Sequence, residues 1–369
     1  MHAHFNPTRE VIMSTFKVTV EELKISPHPN ADRLELAQVG DYLSIVPKGQ
    51  FCTGDLAAYI PEASIVPENV LEELGLVGKL AGSAKNRVRA MRLRGVLSQG
   101  ICYAARPEWH KGQDVTDILG ITKYEPIVPS YMNGELYGAG LDRCIRYDIE
   151  AFKRYPEVLE PGEPVVITEK LHGTWCQLGM VTKDMAHPDY GQLVVASKGL
   201  GHKGLAFKPD AEANSHNLYL QVARALHIEE RFADTEHPLF ILGEVFGAGV
   251  QDLSYGQKTR GTHMFRVFDV FIHGPTDPEG RYLNDDELDA FCTTHGFERV
   301  PVLWRGPFDK AKMLELTSGK ESVSGTEAHI REGVVVRTQQ ERRDPEIGRV
   351  QLKSVSDDYL LRKGGTEYN

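Results

Sequence analysis

Cysteine is scarce in this chain. The five present (Cys52, Cys102, Cys144, Cys176 and Cys292) are scattered, odd in number and never arranged as C-x-x-C. That excludes a disulfide framework and a zinc ribbon. The fourteen histidines include no H-E-x-x-H, so no transition-metal site is expected. No apolar run approaches the ~18–20 residues of a membrane span. Residues 1–13 carry no apolar stretch of signal-peptide type, which gives a cytoplasmic location as the expectation. Internal repeats and low-complexity tracts are missing as well. So is an excess of positive charge: the net charge is −10, whereas non-specific nucleic-acid binders are usually basic.

What is present fits two globular domains. The chain has 369 residues, 41% apolar and 25% charged, enough for two domains of ~100–200 residues each. The acidity is uneven. Residues 1–125 hold 14 Lys+Arg against 15 Asp+Glu, and residues 126–369 hold 28 against 37. The second part therefore carries most of the carboxylates, the groups that gather hard divalent cations.

Residues 16–22, 34–39, 43–46 and 55–60 are rich in β-branched and apolar residues, with turn signals between them. Short strands at regular spacing suggest a small barrel, with a short helix expected over 70–80. Clustered prolines at 124–129 mark a boundary. The expected domains are therefore 1–125 and 126–369. In the second part, 164–169, 193–197, 239–245, 265–272, 333–337 and 349–354 read as strands and 215–226 as a helix. Asn284 and Asp309 read as N-caps of two more helices. The tail from residue 363 to 369 is expected to fray.

Within the first part, residues 85–94 hold five cations in ten positions. Read as a strand, Arg87 and Arg89 share a face, as do Arg92 and Arg94. Guanidinium groups so spaced suit a phosphate backbone or, equally, protect a sheet edge. Beside a small barrel the nucleic-acid reading gains, because such barrels bind single strands this way. The pairs His202/Lys203 and Arg342/Arg343 read as solvated loop charges.

The sharpest feature is Thr168-Glu169-Lys170-Leu171-His172-Gly173. Here a lysine sits where a strand gives way to a glycine turn. Lysine is a nucleophile only after losing a proton, which neighbouring cations or a metal favour. Gly173 would let backbone approach a ligand closely. K-x-x-G alone is common; its ordered company is not. Downstream come Ser197-Lys198-Gly199, Gly243-Glu244-Val245-Phe246-Gly247, Phe268-Asp269-Val270-Phe271, Glu332-Gly333 leading to Arg337, and Gln351-Leu352-Lys353. Each polar element lies in or beside an expected strand.

This order resembles the covalent nucleotidyltransferase superfamily of polynucleotide ligases and capping enzymes. There K-x-[DH]-G is the first motif, and the remaining elements match those that follow. The histidine form is typical of one group of RNA ligases. In the first part, His28-Pro29-Asn30-Ala31-Asp32-Arg33-Leu34, Arg92-Leu93-Arg94-Gly95, Ser98-Gln99-Gly100 and Gly120-Ile121-Thr122-Lys123-Tyr124-Glu125-Pro126 resemble the N-terminal OB module of ATP-dependent RNA ligases of the Deinococcus/Naegleria type. The resemblance implies an α+β protein: an OB-like β-barrel that binds nucleic acid, then a lysine nucleotidyltransferase domain of antiparallel sheets flanked by helices.

The resemblance also implies roles. Lys170 takes AMP from ATP and passes it to an RNA 5′-phosphate, and a 3′-OH closes the bond. His172 is essential. Lys198 and Lys353 neutralise phosphate, Glu332 faces a magnesium or manganese ion, Glu244 bonds the ribose or assists that ion, and Phe268 stacks on adenine. Glu169 and Leu171 read the adenine edge through their backbone. Arg87, Arg89, Arg92 and Arg94 bind RNA, with a nicked duplex as the substrate, a monomer as the working form and no membrane partner. Three positions depart from the pattern. Trp175 stands where an asparagine contacts the 5′-phosphate, Lys198 replaces an arginine, and Gln351 replaces a lysine. The rival readings are a DNA ligase or capping-type enzyme, against which His172 and the leading OB module speak, and a non-catalytic OB-type RNA-binding protein.

Overall fold

The segment Leu56–Ile60 is apolar at every position because both of its faces are buried. Ala58 and Ile60 enter one core with Val18, Val20, Val66 and Val115, while Ala57 and Tyr59 enter a second with Leu23, Val39, Val46 and Phe51. Alternate residues of a strand face opposite ways, so this one strand separates two cores. In this computed structural model, which describes residues 16–259 and 263–366, the chain divides into two compact units, 1–124 and 125–369. The expectation for residues 1–13 lies outside the described residues.

In the first unit, Leu56–Ile60 is the centre of an antiparallel sheet with Thr19–Glu22 and Ile101–Ala104. A meander of Lys24–Pro27, Leu34–Val39 and Tyr42–Pro47 forms a second sheet. The expected helix is shorter, Glu68–Glu73, because Gly75 follows at φ +64° and ends it. The basic stretch 85–94 is not one strand. A turn precedes it, Arg87 makes only isolated bridges to Ile65 and Ala81, and Met91–Leu93 pairs with Val96–Ser98 as a hairpin. Arg94 and Gly95 form its two-residue turn at φ +48° and +89°, the conformation that favours glycine. Arg94 therefore does not share a strand face with Arg92.

The second unit is built on two five-stranded sheets. In the first sheet the order is Glu150–Ala151, Gln351–Val355, Gly333–Thr338, Pro164–Lys170 and Val302–Pro307. All neighbours are antiparallel except the first pair, which is parallel. In the second it is Leu193–Ser197, Thr174–Met180, Leu239–Phe246, Met264–Ile272 and Arg281–Tyr282, antiparallel throughout. Val165, Ile167, Val334, Val336 and Leu352 pack over helix Lys310–Thr317 through Met313. Cys176, Leu178, Met180, Val195 and Ile241 pack against helix Leu218–Ala225, which Asn217 caps. Asp309 caps its helix at Lys312, and Glu287 accepts the backbone N–H of Asn284 at the start of Asp285–Thr294.

Asp269 joins the sheets. It is fully buried in the second sheet and accepts from Arg337 of the first (3.1 Å), from Arg349, and from the Tyr147 hydroxyl (2.8 Å). The Tyr147 hydroxyl also lies 3.0 Å from Oε1 of Gln351 in the first sheet. Burial pushes the Asp269 carboxyl up, but Arg349 and Arg337 outweigh it and hold the group below its ordinary range. The tail is held further than expected, since the backbone N–H of Thr366 donates to Asp252 at 2.8 Å; residues 367–369 lie outside the described residues. Removing one partner of a buried ion cluster strands the others. Asp269→Asn should therefore cost about 3–5 kcal/mol, read as a lower urea midpoint than in the unmodified chain.

Candidate active site

Pairing register decides what faces the reaction site. Lys170 pairs with Gly333, and Thr168 with Val335, which pairs in turn with Lys353. Directly paired residues share a face of a sheet. Val166, Thr168 and Lys170 therefore lie on one side with Arg337, Gln351 and Lys353, opposite the side that feeds the apolar core. Lys170 is the last residue of its strand, and the next strand, Thr174–Met180, belongs to the other sheet. The crossing at Leu171–Gly173 is tight. A Cβ on Gly173 would collide with the Val245 carbonyl and with Phe246, so no larger residue fits the turn.

The Lys170 Nζ donates to Oε1 of Glu332 at 2.6 Å. The Glu332 side chain is nine-tenths buried, and its second oxygen, Oε2, has no hydrogen-bond partner. Around this pair the site gathers like charges. Lys353 is pushed down to about 8 by burial first, then by Lys198 and Lys170. Glu244 is pushed up to about 8 by burial, with Glu332 adding to the rise and Lys170 and Lys198 opposing it. Lys198 lies 3.2 Å from Asp148. Burial raises the Asp148 carboxyl, but Lys198, His202 and Arg146 prevail and hold it low. The structure thus brings Lys170, Lys198, Glu244, Glu332 and Lys353 together from segments scattered along the sequence.

Phe268 occupies a bulge. Leu242 pairs with Asp269 and Gly243 with Val267, so the residue between them has no partner in the ladder, and a bulge re-aims such a side chain. Phe268 packs on Tyr147 (5.2 Å between centroids) and reaches both the cluster around Trp175 and that around Leu171. Trp175 pairs with Glu244 across the strands, and its Nε1 is buried without a hydrogen-bond partner. Gln351 sits against the Tyr147 hydroxyl. Tyr147 and Asp148 carried no motif, and only their neighbours in space mark them.

His172 is committed on every side. Its Nε2 lies 2.7 Å from Asp252, its Nδ1 lies 2.7 Å from the Tyr359 hydroxyl, and its backbone N–H donates to Tyr255 at 2.6 Å. Glu169 points away from Lys170. Its Oε2 accepts the Ser322 backbone N–H (3.0 Å) and hydroxyl (2.5 Å), and burial raises its carboxyl against the pull of Ser322 and Arg331. The backbone N–H of Glu169 is already donated to Pro301. Leu171 is buried with Phe246, Tyr255 and Val300. Among the described residues, no group of three or more His, Cys, Asp and Glu could hold a metal ion.

In the first unit Arg89, Arg92 and Arg94 are exposed, whereas Arg87 lies half-buried with its guanidinium 3.6 Å over Tyr124. The turn that carries Arg94 is held from below. His28 Nε2 reaches the Leu93 carbonyl (3.3 Å), and Asn30 donates to the Arg94 carbonyl (2.9 Å). Two sequence fragments that looked unrelated are one structural unit. Arg342 pairs with Glu163 rather than standing free, and His202 lies 3.7 Å from Asp148.

The family profile described as RNA ligase matches residues 163–355, more than half of the chain. The chain belongs to the RNA ligase family. An OB-fold domain profile matches residues 17–105 of the ligase, and its first unit is an OB fold. Solved structures of Naegleria gruberi RNA ligase are similar in fold. A mutant with ATP and Mn superposes with a TM-score of 0.75 at 22% identity, over 93% of this chain and 98% of that one. The form with PPi gives 0.75 at 23%, over 94% and 98%. No curated protein matches the ligase sequence. No helix among its described residues is long and apolar enough to cross a membrane.

The Lys353 ammonium gives a test of the site's electrostatics. Because its folded value lies below its unfolded one, the unfolded ligase binds the extra proton between them. The resulting stability is fully present above the unfolded value of ~10.4 and is lost as pH falls through about 8. Lys353→Met should stabilise the ligand-free ligase at pH 7, with the gain vanishing as pH rises from 8 past 10. Thermal unfolding across that range measures it.

Proposed function

We propose that this RNA ligase uses ATP, carries AMP covalently on Lys170 and seals RNA 3′-OH/5′-phosphate ends, with a nick in a duplex as its substrate. The observation that carries the reading is the Lys170–Glu332 contact, set among Lys198, Lys353 and Glu244. Three lysines crowd one another while two carboxylates do the same. A polyphosphate with a divalent cation relieves both repulsions, and the similar Naegleria structures hold ATP or AMP with Mn.

The chemistry is an in-line displacement. The Lys170 amine must leave Glu332 and give up a proton before it attacks the α-phosphorus. A P–N bond forms, the P–O bond to pyrophosphate breaks, and Lys198 and Lys353 take the charge of the leaving group. An oxygen of the RNA 5′-phosphate then displaces the lysine, which regains a proton. Finally the 3′-OH loses its proton as it attacks, and AMP leaves. Phe268, re-aimed by its bulge, would stack on adenine. The Glu169 side chain and N–H are engaged elsewhere, which leaves its carbonyl and Leu171 to meet the base edge.

Magnesium or manganese fits the residues present. The unpartnered Glu332 Oε2 and the Glu244 carboxyl offer only oxygen donors, the type these ions take through one or two carboxylates plus substrate phosphates. When bound, the ion would neutralise developing phosphate charge. Arg89, Arg92 and Arg94 would hold RNA phosphates from the hairpin that His28 and Asn30 support, with Arg87 held back against Tyr124.

Incubation with radiolabelled ATP should leave one AMP on the peptide carrying Lys170, seen by mass spectrometry. Lys170→Ala should abolish the label and Glu332→Ala should slow its formation on the order of 100-fold. An unlabelled wild-type chain would overturn the reading, and parallel sealing assays on RNA and DNA nicks fix the polymer. Replacing Arg89, Arg92 and Arg94 with alanine should weaken RNA binding evenly across sequences. Each lost phosphate contact should lower the salt slope by ~0.7–0.9, measured by filter binding over a salt series.

A further inference from the structure

The nucleotide reading leaves one hydrogen-bond network unused. Residues 357–366 follow directly on the strand that carries Lys353 and close over the Leu171–Gly173 turn. Ser356 donates its backbone N–H to the Glu332 carbonyl at 2.8 Å. Tyr359, almost fully buried, bonds to His172 Nδ1. Arg362 lays its guanidinium 3.6 Å over the Tyr359 ring and donates from Nε to Asp252 at 3.0 Å. Thr366 adds its backbone N–H (2.8 Å) and hydroxyl (3.0 Å) to the same carboxylate and accepts the Asp252 N–H at 3.0 Å.

The result is a closed ring of bonds: His172 to Asp252, Asp252 to Arg362, Arg362 over Tyr359, and Tyr359 back to His172. Asp252 and the Tyr359 hydroxyl hold the His172 ring at both of its nitrogens, which fixes its orientation. Gln251 donates to the Gly173 carbonyl and Tyr255 accepts the His172 N–H, so the turn is held at its backbone as well as at its ring. The strap is therefore tied near both members of the Lys170–Glu332 pair: Ser356, just before it, bonds the Glu332 carbonyl, and Tyr359 bonds His172, two residues beyond Lys170.

We propose that residues 357–366 are a strap that positions Lys170 for attack, with Tyr359 and Arg362 as positioning residues that act through His172 and Asp252. This rests on the reading of Lys170 as the nucleophile. In-line attack is sensitive to small misplacements: a shift of about 1 Å can cost on the order of 100-fold in rate.

Single-turnover AMP transfer to Lys170, measured over a range of ATP concentrations on the full chain, tests it. Tyr359→Phe removes one hydroxyl and should lower the maximal rate about 10-fold or more while leaving the half-saturating ATP concentration in place. Arg362→Ala should do the same, and Arg362→Lys should restore part of the rate. With 15N-labelled histidine, Tyr359→Phe should move the His172 Nδ1 resonance, because that nitrogen loses its hydrogen-bond partner. Maximal rates equal to wild type at a temperature where the variants are folded would overturn the strap, even if their melting temperatures fall. So would a histidine spectrum that Tyr359→Phe leaves unchanged. A wild-type chain that never takes AMP on Lys170 would sink the nucleophile reading instead, and the spectrum, which needs no ATP, still reports on the strap.

Discussion

A buried carboxylate between two sheets sets the geometry on which everything else relies. Asp269 belongs to the strand that bears Phe268, and its arginine partner Arg337 belongs to the strand that follows Glu332. Taking such ions out of water is costly, and their attraction offsets that cost only when the hydrogen bonds are complete. Here Arg337, Arg349 and Tyr147 complete them. The cluster extends outward through Asp285, Arg299, Arg305 and Glu341. Its net contribution to stability need not be large. What it imposes is registry: the first sheet cannot slide on the second without breaking several charge-assisted bonds together.

Held in that registry, the two sheets crowd like charges together. Lys353 and Glu244 are both driven toward neutrality, one from above and one from below. Perturbed groups of this kind cluster where binding or chemistry occurs. Lys198 has found a temporary counter-ion in Asp148, and Lys170 has one in Glu332. The site is in this sense prepared for a ligand that carries both an anion and a cation.

Much of this was legible in the sequence, for physical reasons that differ from residue to residue. Lys170, Glu244, Glu332 and Lys353 stood out because each lies in or beside a short apolar run that could only be a buried strand. The N-caps at Asn284 and Asp309 were visible because capping chemistry is local. The strand Thr174–Met180 was not, since it is buried on both faces and its run TWCQLGM has no alternation to read. The basic stretch 85–94 looked like a strand by charge spacing, but Gly82 and the Arg94-Gly95 turn break it into a loop and a hairpin. Tyr147, Asp252, Tyr359 and Arg362 are defined by partners 80 to 204 positions away along the chain, as for His172 with Asp252 and Tyr147 with Gln351, and Asp148 by Lys198 and His202. No local pattern encodes them. His172 drew attention as a motif residue, and the structure shows it saturated with bonds rather than open to a ligand.

The passage from Lys170 to Thr174 has a mechanical consequence. Only Leu171, His172 and Gly173 separate the end of a strand in one sheet from the start of a strand in the other. So short a bridge has no slack. Any shear between the layers, whether from opening, closing or a passing thermal breath, reaches the lysine before it reaches the rest of its strand. The amine sits at the fulcrum of the domain, where whatever grips both layers also sets its aim.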